Sequence, residues 1–183
     1  GATDVVITNS DAQSATLVNG YRYQAAPTVA SVSPTAGDIA GGTSIVITGT
    51  GFLTGVLVDM GGSNCPVDSF TSTQIFCTTT AHAAGTVSIQ VTNTDTQTGS
   101  LSSAYSYRAP PTLTTVAPTA GALAGGNTLT LTGTGFLAGI TVEVGGSPCT
   151  TVNVISPTQL TCVAPAHAAG TVSTVVTNTD GQT

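Results

Sequence analysis

The chain repeats itself. Residues 34–65 read PTAGDIAGGTSIVITGTGFLTGVLVDMGGSNC and residues 118–149 read PTAGALAGGNTLTLTGTGFLAGITVEVGGSPC, with 19 of 32 positions identical at a step of 84. After the first cysteine one residue is inserted, and Cys77/Cys162, His82/His167, Asn93/Asn178 and Asp95/Asp180 then pair at 85. The step also runs backwards: VVITNSD at 5–11 lies 84 before IQVTNTD at 89–95, and Leu17, Tyr21, Tyr23 and Pro27 lie 84 before Leu101, Tyr105, Tyr107 and Pro111. A period of this length confines the chain to a tandem series of small units, each of which closes its own core.

The phase of the repeat predicts three segments. Residues 1–26 are expected to be the C-terminal part of a preceding repeat, 27–110 a complete repeat, and 111–183 a repeat lacking its last strand, the counterpart of LSSAYSY at 101–107. Two readings of the ragged ends follow: a longer chain continues past Thr183, or residues 17–23 of another copy fill the vacant strand position and build a filament by strand addition.

Within each repeat the apolar residues alternate. NTLTLTG at 127–133 sets Leu129 and Leu131 on one face and threonines on the other, and Ile45 and Ile47 take the same places one repeat earlier. That is the pattern of a half-buried strand. Val56, Val58 and Met60, with Ile140, Val142 and Val144, predict another. Further strands are expected around Val29 and Val32 and over 67–70, 75–77, 87–91 and 101–107, about seven per repeat. Gly and Pro clusters separate them at spacings suited to an all-β sandwich. No stretch keeps a helical period between caps.

Charge excludes one large class of partner. The chain has two arginines, eight acidic residues and no lysine, for a net charge of −6, so it has no basic surface with which to neutralise nucleic-acid phosphates. An intramolecular isopeptide crosslink is excluded for the same want of lysine. No apolar run is long enough to span a bilayer, and no basic amphipathic stretch suggests attachment to a membrane surface.

Cysteine spacing bears on compartment. Each repeat carries two cysteines, Cys65 and Cys77 with a separation of 12, Cys149 and Cys162 with a separation of 13. Zinc would need four close ligands, and two cysteines with one histidine do not supply them. The expectation is one disulfide per repeat, Cys65–Cys77 and Cys149–Cys162, and therefore an oxidising, extracellular compartment.

The elements PTVASVSPTAGDIAGGTSIVITGTGFL, VDMGGSNC, STQIFCTTTAH, GTVSIQVTNTD and SAYSY, in that order, resemble the immunoglobulin-like IPT/TIG domain. The resemblance implies tandem immunoglobulin-like β-sandwiches in which Phe52 and Phe136 fill the cores and the Gly-rich stretches make tight corners. It extends to plexins and related receptors, transcription factors and tandem arrays on bacterial surface proteins. Low charge, Thr/Gly richness and near-duplicate repeats are most similar to the bacterial arrays. Transcription-factor members use basic loops that this chain lacks.

Few residues suggest chemistry. His82 and His167 sit in AHAAGTV, with no acid or nucleophile recurring at a fixed offset beside them, and are expected to be loop residues rather than catalytic ones. The TN(S/T)D turns at 8–11, 92–95 and 177–180 offer Asp11, Asp95 and Asp180, which read as turns bonded to their own backbone, with a calcium ion between repeats as the lesser alternative and no other cofactor or metal. The tyrosine pairs Tyr21/Tyr23 and Tyr105/Tyr107 each share a strand face. They are expected to close the core, with a ligand-facing platform for sugars as the alternative.

The leading functional expectation is a non-catalytic structural or adhesive stalk or fibre segment of a longer chain, acting as a semi-rigid spacer in which each repeat advances the chain by about 40 Å and Pro-containing joints, YQAAPTV and YRAPPTL, couple the repeats. Its expected partners are neighbouring repeats, other copies of the chain, or a surface glycan or protein receptor. The alternative is a carbohydrate-binding module of a secreted enzyme or adhesin.

Overall fold

The computed structural model describes every residue from Gly1 to Thr183 and contains eighteen strands and no helix. In chain order these are β1 (Ala2–Thr8), β2 (Ser14–Arg22), β3 (Thr28–Ser33), β4 (Ala36–Asp38), β5 (Ser44–Thr50), β6 (Leu57–Met60), β7 (Ser63–Asn64), β8 (Val67–Phe70), β9 (Gln74–Thr78), β10 (Gly85–Thr92) and β11 (Thr98–Arg108). The third repeat adds β12 (Thr112–Ala117), β13 (Thr128–Thr134), β14 (Thr141–Val144), β15 (Ser147–Pro148), β16 (Thr150–Ser156), β17 (Gln159–Val163) and β18 (Thr174–Thr177). The middle repeat therefore has nine strands rather than about seven, because β4 and β7 are too short to announce themselves as alternation.

By proximity the chain separates into two compact units, and the division passes through the middle repeat. The first comprises Gly1–Ser33, Ser44–Thr78 and Ser88–Ala104. It holds the β1–β2 hairpin and a four-stranded antiparallel sheet in the order β3-β5-β9-β8. The alternation in SIVITGT works as expected: Ile45 and Ile47 turn inward, joined by Phe52, Val58, Met60, Ile75, Ile89 and Val91 in a fully buried core. Cys65 and Cys77 form a disulfide with Cα atoms 5.7 Å apart, tying the end of β7 to β9. By contrast, every residue of β1 and β2 is exposed.

The second unit comprises Pro34–Thr43, Thr79–Val87 and Tyr105–Thr183. β10 and β11 run through both units and belong to a sheet of order β4-β11-β10-β6-β7. In the second unit the end of β11 pairs in parallel with β4, Ser106 to Ala36 and Arg108 to Asp38. The third repeat packs a sheet β12-β13-β17-β16 and a sheet β15-β14-β18 around Leu129, Leu131, Phe136, Ile140, Val142, Leu160 and Val176.

The expected second disulfide is not formed. Cys149 and Cys162 are buried thiols, hydrogen-bonded to each other, and burial together with that bond pushes the Cys162 thiol up to about 12. The residue inserted between them is absorbed as an irregularity after Thr150, where Thr151 takes φ +52°. Similar sequence spacing therefore yields a covalent staple in one repeat and a thiol pair in the next.

Candidate functional site at the repeat joints

The polar groups that recur at the same place in both complete cores lie in the TNTD loops. Asn93 begins a tight turn in which its own N–H donates to the Gln97 carbonyl and Thr96 N–H donates back to the Asn93 carbonyl. Asp95 Oδ1 accepts from Gln97 N–H, which is the self-bonded turn expected of the aspartate. The same three bonds recur at Asn178, Gly181, Gln182 and Asp180, and at Asn9, Ala12, Gln13 and Asp11. All three aspartates thus spend one carboxylate oxygen on the turn.

Asparagine does something else. Its side chain does not bond its own turn; it is buried and reaches across to the GTGF corner, where Nδ2 of Asn93 donates to the Gly51 carbonyl at 2.8 Å and Oδ1 accepts from Leu53 N–H at 3.1 Å. Asn178 repeats this with Gly135 and Leu137 at 2.8 and 3.1 Å. The corner needs such a partner because Gly51 and Gly135 turn at φ +74° and +73°, which leaves the backbone groups on either side outside any ladder. Sequence reading found these corners and these asparagines separately; the bond between them spans some forty residues and is invisible to local pattern.

Glutamine completes the arrangement. Gln97 Nε2 donates to the Gln24 carbonyl in the preceding linker at 3.0 Å, and Gln182 Nε2 donates to the Arg108 carbonyl at 3.2 Å. Each of these joints lies inside one compact unit. Gln97 Nε2 also bonds Asp95 Oδ2 at 2.9 Å, so the aspartate steers the glutamine toward the linker. Loop, corner and linker are thereby bracketed by one Asn and one Gln per repeat. Nothing in TNTDTQ or TNTDGQ marks Gln97 or Gln182 as a linker contact, and both went unnoticed as sequence.

Tyr105 and Tyr107 are 0% and 2% exposed, so the ligand-facing alternative fails for them: the strand that carries them is inside the repeat. Their rings pack edge to face at 5.0 Å, and His82 stacks on Tyr107 at 4.7 Å. Burial, and then the neighbouring Tyr105, raises the Tyr107 pKa above the ordinary phenol value. Tyr21 and Tyr23 are 55% and 68% exposed, in an edge-to-face pair at 4.9 Å. His82 is a loop residue whose Nδ1 lies 2.8 Å from the Ala83 carbonyl, and His167 stands in the same relation to Ala168 at 2.9 Å.

The family model of the IPT/TIG domain matches residues 27–107 and 111–183. The chain belongs to the IPT/TIG family. Mouse Fibrocystin-L is 34% identical to this IPT/TIG chain over 158 residues, 84% of the chain and 4% of that protein; human Fibrocystin-L is 31% identical over 159 residues, 85% and 4%. The chain therefore spans about 4% of the length of these curated relatives. A solved structure of the plexin A4 extracellular region is similar at 25% identity and a TM-score of 0.43, over 79% of this chain and 13% of that one. The two curated relatives are mammalian, and the bacterial origin expected from composition finds no support in them.

Proposed function

We propose that this IPT/TIG chain is a non-catalytic, semi-rigid spacer segment of an extracellular protein, with neighbouring repeats as its first partners. The observation that carries the reading is the repeated bracket: Gln97 to the linker carbonyl of Gln24, and Gln182 to that of Arg108. A module that only needed to fold would have no use for a side chain spent on the linker before it. A spacer does, because a bonded linker loses torsional freedom, and stiffness is what separates a strut from a flexible tether. Proline at 27 and at 110 and 111 restricts the same segments from the covalent side. Extracellular placement is supported by the Cys65–Cys77 disulfide, since such bonds persist in oxidising compartments.

The test is amide relaxation by NMR on the intact chain and on Gln182→Ala. Residues 27–107 and 111–183 report a common rotational correlation time in the wild type and separate ones in the variant, with the folded chemical shifts of both repeats retained. Identical relaxation in the two proteins would remove the bracket from the mechanism and with it the case for stiffness.

A further inference from the structure

We propose that Cys149 and Cys162 form a concealed site of thiol–disulfide exchange, which reacts with low-molecular-weight disulfides when the segment around Cys149 opens and then closes into a staple like that of the middle repeat. The inference is independent of the spacer reading, since it concerns only the core of the third repeat. It rests on where the two cysteines are held and on how the wall around them is built.

The backbone already holds both cysteines where a bonded pair stands. Cys162 faces Leu129 across the ladder as Cys77 faces Ile45. Cys149 N–H donates to the Val142 carbonyl at 2.8 Å, as Cys65 N–H donates to that of Val58 at 2.9 Å. The two thiols meet in a hydrogen bond. No strand has to be re-paired for the sulfurs to join.

The wall that hides them is weakest beside Cys149. Cys162 is 1% exposed, in β17 between β13 and β16, whereas Cys149 is 9% exposed against 1% for Cys65. β15 holds to β14 through two residue pairs, and Pro148 stands where the middle repeat has Asn64, so it has no N–H to donate. Beyond Cys149 the ladder of β16 with β17 is irregular between Thr150 and Asn153, and Thr151 takes a left-handed φ of +52° that disfavours a β-branched residue. Local opening therefore frees Cys149 first and leaves Cys162 on its strand.

That asymmetry fixes the order of the chemistry. The Cys149 thiolate attacks one sulfur of the incoming disulfide; a new S–S bond forms, the old one breaks, and one small thiolate leaves with the electron pair and takes up a proton. Cys162 then attacks the Cys149 sulfur, closes Cys149–Cys162 and expels the second small thiol. The protein thiols give up two electrons and two protons, and the small disulfide receives them. Burial, and then the hydrogen bond and charge of Cys149, pushes the Cys162 thiol up to about 12, so Cys162 does not begin the sequence at neutral pH. Capping Cys149 removes the two contributions that Cys149 makes, and Cys162 becomes the resolving thiol.

The test incubates the intact, natively folded chain with oxidised glutathione, quenches with acid, unfolds, alkylates and maps the cysteines by mass spectrometry. Labelling of Cys149 and Cys162 falls from two sites to none, through a transient glutathione adduct on Cys149, and the rate rises with urea added below the unfolding transition. Once closed, hydrogen exchange at the Leu131 amide slows by on the order of a hundredfold, the effect of closing a loop of this length. Cys162→Ser traps the adduct on Cys149, and Cys149→Ser leaves Cys162 unmodified at neutral pH. Should either serine variant fail to fold, the wild-type time course decides by itself. Two thiols that remain fully alkylatable after the incubation would overturn the proposal, as would an adduct that appears first on Cys162 or closure that leaves exchange at Leu131 unchanged.

Discussion

Replacing Asn93 by alanine isolates the interaction that holds the TNTD loop to the GTGF corner. The side chain is 3% exposed and makes two hydrogen bonds, to the Gly51 carbonyl and from Leu53 N–H. Truncation removes both and leaves two backbone groups with no partner in a site too closed for easy hydration. At about 1 kcal/mol net for each bond, plus the desolvation of groups left unpaired, the loss is about 2–4 kcal/mol. Against a domain stability of roughly 5–15 kcal/mol this is a large fraction. The assay is hydrogen exchange at the Leu53 amide together with urea unfolding of the intact chain. Asn9→Ala is the control: Asn9 opens the same turn but is exposed, and the expected change is within about 0.5 kcal/mol. Asn93→Asp sharpens the test, since it keeps the acceptor for Leu53 and turns a carboxylate oxygen toward a carbonyl. That carboxyl has a raised folded-state pKa, so its penalty is present at neutral pH and is relieved as pH falls and the acid protonates. A loss below about 1 kcal/mol for Asn93→Ala, or a pH-independent penalty for Asn93→Asp, would refute the reasoning that the corner depends on this side chain.

Four further outcomes follow from the same structure. Cys65→Ser removes the staple of the middle repeat and lowers its stability by about 3 kcal/mol in urea unfolding, the contribution of closing a loop of this length. Alkylation of the unfolded, unreduced chain followed by mass spectrometry labels Cys149 and Cys162 and spares Cys65 and Cys77. Because Cys162 is raised from 9.0 to about 12, its contribution to stability is fully present below pH 9 and is lost as pH rises toward 12, which urea unfolding on either side of that window detects. Gly37→Ala drives a methyl group into the Tyr105 hydroxyl and Thr43 Oγ1 and costs about 1–3 kcal/mol by thermal unfolding, whereas Gly121→Ala meets only the Asn127 side chain, whose Oδ1 accepts from Ala122 N–H, and costs less.

Much of the architecture is legible in local pattern. Strict alternation in NTLTLTG places Leu129 and Leu131 inside, its counterpart SIVITGT does the same for Ile45 and Ile47, and GTGF announces a corner that ends with Phe52 or Phe136 in the core. β4 is not legible, because Ala-Gly-Asp has no strand character of its own and pairs only with β11; its counterpart Ala-Gly-Ala at 120–122 is irregular. The joint was half legible. TNTD is a turn by composition, and its aspartates behave so, yet the asparagine and glutamine act on partners far along the chain.

Period, polarity and the alternation of small β-modules are properties of the sequence alone, since each depends on neighbours two residues apart or on a comparison of the chain with itself. Which tyrosines are buried, which cysteines are bonded and which amides grip the linker were decided only in three dimensions. Tyr21 and Tyr105 hold the same position of the repeat and have opposite exposure, 55% and 0%. The physical cause is that burial, sulfur pairing and long-range hydrogen bonds are properties of what lies across from a residue, and that is set by strands elsewhere in the chain.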